Sequence, residues 1–227
     1  MTRCGTQLLQ RYICTGLLLV TLQLSSIQAL LADSYATSAV DVKMLTSLAN
    51  TGRAEAQYRL ANLYLSGQGV DQHLPSALAW LTKSAQQQYA PAQLQLGLLY
   101  LGNYGQMLDC QQAQHWFSSV DSGSRIYNQA RSSLAWLLAT CPDDRIRNGT
   151  QALAIIKPLV EARDTPSASL LDTLAAAYAE TGDFEQAEQN QQKAIDNLEK
   201  STTDQQQMQR FKARLQHYRQ QQPWRLN

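Results

Sequence analysis

From Ala54 onward apolar residues fall at helical spacing, in segments separated by glycines. In AEAQYRLANLYLSGQGVDQHLPSALAWLTKSAQQQYA, Leu60, Leu63 and Tyr64 share one face of a first helix. Ala77, Trp80, Leu81 and Ala85 mark a second, and SGQG between them supplies a turn in which glycine takes positive φ. The pattern then returns. At a shift of 36 residues Ala54 matches Ala90, Ala56 matches Ala92, Leu60 matches Leu96, Tyr64 matches Tyr100, Gly69 matches Gly105, Ala77 matches Ala113 and Trp80 matches Trp116. Each copy therefore predicts a helical hairpin. One hairpin cannot bury its apolar stripe alone, so hairpins of this kind stack into a solenoid whose core runs through its neighbours.

Further helices continue the pattern. The spacing predicts a third pair over Tyr127 to Thr140 and Thr150 to Ala162, joined by the longer loop CPDDRIRNG. A fourth pair lies in SLLDTLAAAYAETGDFEQAEQNQQKAI. Upstream, VKMLTSLA (42–49) places Met44, Leu45 and Ala49 at the Trp80, Leu81 and Ala85 positions, so the array is expected to begin with a half unit. Downstream, Met208, Phe211, Leu215 and Tyr218 form one stripe on a helix that is otherwise rich in Gln and Arg, the pattern of a cap.

The first two copies resemble the Sel1-like repeat, a relative of the tetratricopeptide repeat with the pattern A-E-A-Q-Y-x-L-G-x-x-Y-x-x-G-x-G-V followed by A-x-x-W-x-x-x-A-A. Copy one matches nearly throughout, with Ala61 at the usual Gly position. Copy two departs more, with NYGQMLD in place of the G-x-G-V loop and Val120 at the later Ala position. Leu174, Ala175, Tyr178, Gly182, Ala187 and Ala194 fall where a tetratricopeptide repeat has its small and large packing residues, and the resemblance spans residues 54–227. It implies an all-α, right-handed α-solenoid of stacked antiparallel helical hairpins with a C-terminal capping helix. The expected division is a signal segment at 1–29, a linker and half repeat at 30–53, two Sel1-like repeats at 54–125, two tetratricopeptide-like hairpins at 126–201, and a cap with tail at 202–227.

Composition agrees with helices: Ala, Leu and Gln abound in the 227 residues, which include 6 prolines and 11 glycines. The opening MTRCGTQLLQRYICTGLLLVTLQLSSIQALLADS has Arg3 and Arg11 and no acid ahead of a short apolar run from Ile13 to Leu24, with small residues after it. This reads as a secretory signal cleaved after Ala29 or Ala32, with an uncleaved anchor as the alternative. The expected location is the periplasm or outside the cell, or the periplasmic face of the inner membrane if the segment stays. Without residues 1–29, 17 basic residues face 18 acidic ones. That balance gives no general attraction to nucleic acid, and none to a membrane unless the N-terminal segment stays in it.

Candidate chemistry is sparse. His73, His115 and His217 fall in a turn, on a repeat helix and on the cap, without metal-site spacing, and the sequence has no G-x-S-x-G, S-x-x-K or H-E-x-x-H. No catalytic residue, metal or cofactor is expected. Asn148-Gly149-Thr150 is formally a glycosylation acceptor, which a helix start also explains. Cys110 and Cys141 lie in or beside connections that stack along one edge of a solenoid. In an oxidising compartment they form a disulfide or stay as two buried thiols.

The resemblance implies a binding groove lined by the first helix of each hairpin. Carried across, the pattern points to Tyr58, Asn62 and Leu65 in copy one, Leu94, Leu98 and Leu101 in copy two, Ser132 and Trp136 in the third hairpin, and Asp172 in the fourth. Exposed Leu and Trp in a row ask for cover, either by a protein or peptide partner or by a neighbouring part of the same chain. The function expected is that of a non-catalytic protein-interaction scaffold or adaptor in the cell envelope. Two rivals come with the resemblance: a secreted β-lactam-binding or hydrolysing enzyme, for which the chain shows no serine–lysine pair, and a structural subunit of an envelope assembly.

Overall fold

The computed structural model describes residues 42–102, 108–201 and 204–226. The expected signal segment, the linker up to residue 41 and Gly105 of the second copy lie outside the described residues. Among those described there are ten helices and no strand, and the fold is the all-α, solenoid type that the repeats imply. The chain divides into two compact units, Met1–Ala77 and Leu78–Asn227, with the division inside the third helix.

In the first unit, α1 covers residues 42–50 and α2 covers Ala54–Ser66, and the opening turn of α3 (Leu74–Gln86) follows. α2 buries Ala56, Leu60, Ala61 and Leu65, a stripe at three- and four-residue spacing. Its end shows why the sequence carries a Gly-rich turn. A helix leaves its last carbonyls unsatisfied, and here three of them find donors in the next seven residues. Gly67, left-handed at φ 73°, donates its N–H to Leu63 O at 2.8 Å. His73 N–H bonds Tyr64 O at 2.9 Å, and the Gln72 amide bonds Leu65 O at 2.8 Å.

The second unit continues α3 and adds α4 (Ala90–Tyr100), α5 (Cys110–Ser118), α6 (Tyr127–Thr140), α7 (Gly149–Glu161), α8 (Ala168–Glu180), α9 (Phe184–Ser201) and α10 (Gln205–Arg219). Helix α4 packs on α5, α6 on α7, and α8 on α9, which are the expected hairpins; α6 and α8 also pack on each other. Side chains start several helices: Asp109 accepts from Gln112 N–H, Asn148 from Gln151 N–H, and Asp204 from the N–H groups of Gln206 and Gln207. Asn148 of the acceptor triplet is thus the N-cap of α7. Cys110, the first residue of α5, is bonded to Cys141, which ends α6, with Cα atoms 6.3 Å apart. A bridge across 31 residues contributes on the order of 3 kcal/mol in the chain-entropy account.

Two contacts explain repeat residues that periodicity leaves unexplained. Gln57 and Gln93 occupy the same repeat position, and both are buried despite their polar amides. Gln57 donates to Ala49 O at the end of α1, and Gln93 to Ala85 O at the end of α3, at 3.1 and 3.5 Å. Each amide therefore satisfies a terminal carbonyl of the preceding helix. The second contact is steric. A methyl built on Gly97 would lie 2.3 Å from Phe117 Cε1, so α4 and α5 touch through a bare Cα and a ring. One repeat earlier the corresponding residues are Ala61 and Leu81.

Gly97→Ala should cost about 1–3 kcal/mol in urea unfolding through overpacking. Adding Phe117→Leu, which recreates the pair of the first copy, should return most of that loss. Additive costs in the double variant would mean that the ring and the glycine do not constrain each other.

Candidate protein-binding face

The residues assigned to a groove fall into two classes. In the first unit Tyr58 and Asn62 are half-buried, and Leu65 is buried. In the second, Leu98, Leu101, Ser132 and Trp136 are half-buried, while Leu94 and Asp172 are buried. The assignment of Leu65, Leu94 and Asp172 to a ligand-facing surface is therefore corrected. Leu94 belongs to a core cluster with Phe117, Ala130, Leu137 and the disulfide, against which Leu98 and Leu101 also pack. The expected row of exposed Leu and Trp is absent: the large apolar side chain that stands out among the described residues is Met44, 65% exposed, on α1.

Asp172 shows what covers the far end of the first-helix face. Its Oδ1 accepts from Arg214 Nε of α10 at 2.7 Å and from Gln191 Nε2 of α9 at 2.8 Å. Both side chains of the ion pair are 8% exposed. Gln191 also reaches Phe211 O at 3.3 Å, tying α9 to the main chain of α10. The Arg214 guanidinium lies 5.2 Å from the Trp136 ring centroid and 4.8 Å from that of Phe211, so the cation has aromatic neighbours as well as its ion pair. Burial pushes the Asp172 carboxyl above its ordinary range, with Arg214 and Gln191 pulling the other way. Burial, and then the Asp172 charge, pushes the Tyr218 hydroxyl up as well.

Helix α8 is consequently buried from Leu171 through Ala177, and its residues belong to three core clusters. Leu171 shares a cluster with Phe211 and Leu215 of α10, Leu174 with residues of α6 and α7, and Ala175 with Tyr218. The chain thus fills its own groove at α8 with its C-terminal helix. In the sequence Arg214 is one of several basic residues on the Gln- and Arg-rich helix, and no local pattern distinguishes it from Arg210 or Arg219.

What stays partly open in the second unit is a mixed face of α4 and α6. Leu98 and Leu101 share a cluster with Tyr127, whose hydroxyl accepts from Arg131 Nη1 at 3.2 Å. Arg131 lies 5.6 Å from the Tyr127 ring and makes no ion pair among the described residues. Together with half-buried Ser132 these side chains offer apolar contact, a cation and hydrogen-bonding groups, which suits a peptide surface. A separate cleft of about 440 Å³ lies beside the disulfide, lined by Tyr100, Leu108, Asp109, Pro142, Asp143 and Ile146, among others. There the hydrogen bond from Arg145 holds the Asp143 carboxyl well below the usual carboxylate range. His73 bonds Ser76 Oγ, His115 lies against Trp116, and His217 meets Trp224 edge-on. Among the described residues no group of His, Cys, Asp and Glu could hold a metal, and no helix is long and apolar enough to cross a membrane.

Replacing Asp172 by Asn should destabilise the protein by about 3–5 kcal/mol, because it strands a buried guanidinium. The pair of changes Asp172→Leu and Arg214→Leu should cost less than Asp172→Asn alone. A thermal-unfolding series that ranks the double variant as the least stable would contradict a buried pair at this place.

The Sel1 repeat family matches residues 54–89, 90–119 and 174–203. The third match covers the stretch whose residues look like a tetratricopeptide repeat; the α6–α7 hairpin lies outside the matches. Among solved structures, a Sel1 repeat protein from Oxalobacter formigenes is similar at 20% identity and a TM-score of 0.53, over 70% of this chain and 65% of that one. A protective antigen present in uropathogenic Escherichia coli strains, displaying an SLR fold, is similar at 22% identity and a TM-score of 0.53, over 70% of this chain and 34% of that one. The chain thus spans less than two thirds of the length of either. No curated protein matches it. Sel1-repeat proteins generally act in protein–protein interaction. The chain thus carries three stretches that match the Sel1 repeat, in an all-α fold of the α-solenoid type that these solved structures share.

Proposed function

We propose that this chain is an exported, non-catalytic scaffold that holds a protein or peptide against the α4–α6 face, in the periplasm or anchored on the periplasmic side of the inner membrane. The observation that carries the reading is the contrast along the first helices of the second unit. Helix α8 is buried without a break from Leu171 to Ala177, whereas in and beside α4 and α6 the side chains of Leu98, Leu101, Tyr127, Arg131 and Ser132 are half-buried. A rigid surface of this composition binds without an ordering cost of its own. Apolar side chains would supply contact area, and Arg131 would fix register on a carbonyl or carboxylate of the partner. Export is supported by the Arg-flanked apolar run of the N-terminal segment and by the Cys110–Cys141 bridge, since such bridges persist in oxidising compartments.

Crosslinking of the full chain in a cell-envelope extract, followed by mass spectrometry, tests this reading. Arg131→Glu with Ser132→Glu, checked for native helicity, should lower recovery of one specific partner at least about tenfold, the loss of one good charged contact. Equal recovery by both proteins, or no specific partner for either, would remove the α4–α6 face from consideration.

A further inference from the structure

The segment that follows α10 lies on the outside of the core, with half-buried Trp224 packed against the cluster of Ala175, Ala179, Ala187 and Tyr218. Gln221 has φ 56°, a left-handed conformation that non-glycine residues adopt sparingly, and there the chain doubles back. Residues 223–226 are all half-buried and none is buried. By contrast Phe211, Arg214, Leu215 and Tyr218 of α10 itself are core. The helix is thus a structural cap, and the tail is a surface segment lying across the ends of α6 and α8.

Its contacts are those by which proteins hold extended peptides. The Trp224 indole meets the His217 ring edge-on at 5.0 Å and lies 5.8 Å from the Arg214 guanidinium. Arg225 Nη2 pairs with Glu180 Oε2 at 2.7 Å. Leu226 N–H donates to Thr140 O, at the C-terminal end of α6, at 2.9 Å. The receiving groups are held independently of the tail. Glu180 is fixed through its other oxygen by Arg147 Nε at 2.8 Å, and Arg147 is anchored on Cys141 O and Pro142 O beside the disulfide. The carboxylate, the carbonyl and the aromatic seat therefore form a preorganised set.

We propose that this set is a second binding site, which takes from a partner protein an extended segment carrying an aromatic residue followed by an arginine, and that Trp224–Leu226 is the internal competitor for it. The inference rests on the scaffold reading and specifies the partner's chemistry, but its residues differ from those of the α4–α6 face, so the two can fail separately. The tethered tail competes at an effective concentration on the order of millimolar, so the site opens only to a segment that binds better or is delivered nearby.

The test uses the full chain and a fluorescein-labelled peptide of residues 221–226, followed by anisotropy. Trp224→Ala with Arg225→Ala should bind this peptide at least about tenfold more tightly than the unaltered protein, as expected on removing a tethered competitor. Adding Glu180→Gln should abolish the gain. Equal affinity for the two proteins, or a gain that survives Glu180→Gln, overturns the proposal. Should the tail variant fail to fold, hydrogen exchange on the unaltered chain decides. The Leu226 N–H should exchange at least about a hundredfold faster than that of Tyr218, because a tail that opens locally exchanges ahead of the core. Equal protection of the two would show that the tail is part of the cap and would overturn the proposal as well.

Discussion

The C-terminal half of this molecule depends on one ion pair between residues 42 positions apart in sequence, Asp172 and Arg214, buried together at 2.7 Å. A carboxylate on a helix with neighbours on all sides is costly unless its charge is met, and here a guanidinium and a Gln amide meet it. The pair need not add much net stability over an apolar alternative. Its consequence is specificity of docking: α10 has one register in which Arg214 reaches Asp172 while Phe211 and Leu215 reach Leu171. The cation then serves twice, since it also lies within cation–π distance of Trp136 and Phe211. With α10 in that register the tail follows, because Trp224 lies against Arg214 and His217.

Toward the N-terminal side the joints are made differently. There the repeat interface rests on small residues and buried amides: Gln57 and Gln93 each reach back to the last turn of the preceding helix, and Gly97 admits the Phe117 ring. These contacts are local to one hairpin and its predecessor, which is how a repeat sequence can extend an array one unit at a time. The charged joint at α10 ends the array, with a helix whose outer face is Gln and Arg rich.

Helix positions and pairing were legible in the sequence because each hairpin repeats a 3.6-residue pattern broken by turn residues. The expected pair Tyr127 to Thr140 and Thr150 to Ala162 corresponds to α6 and α7 within a residue at each end. Helix phase was less legible. In α4, LQLGLLYL is apolar on most sides, so nothing in it marks which leucine faces inward, and Leu94 was placed outward. The repeat pattern assigns Asp172 to the groove, and the partner that buries it lies two helices later. Arg214 sits among other basic residues, and the tail has no period at all. These contacts are set by tertiary register, which local patterning does not encode. Copies one and two carry a glutamine at the same buried position because it donates to a terminal carbonyl of the preceding helix, Ala49 O and Ala85 O, a partner that local periodicity does not reveal.

Helix α10 is an integral part of the core, with Phe211 and Leu215 in one cluster with Leu171 of α8. Native-state hydrogen exchange across a denaturant series measures this directly, because it separates helices that open alone from those that open only with the whole unit. The account predicts that the amides of α10 around Arg214 and Leu215 share one opening free energy with those of Leu174 to Ala177 in α8. If α10 exchanges through a separate, lower-energy opening while α6 to α9 stay protected, the helix is a removable cover, and the α8 surface would have to be counted as part of the binding face.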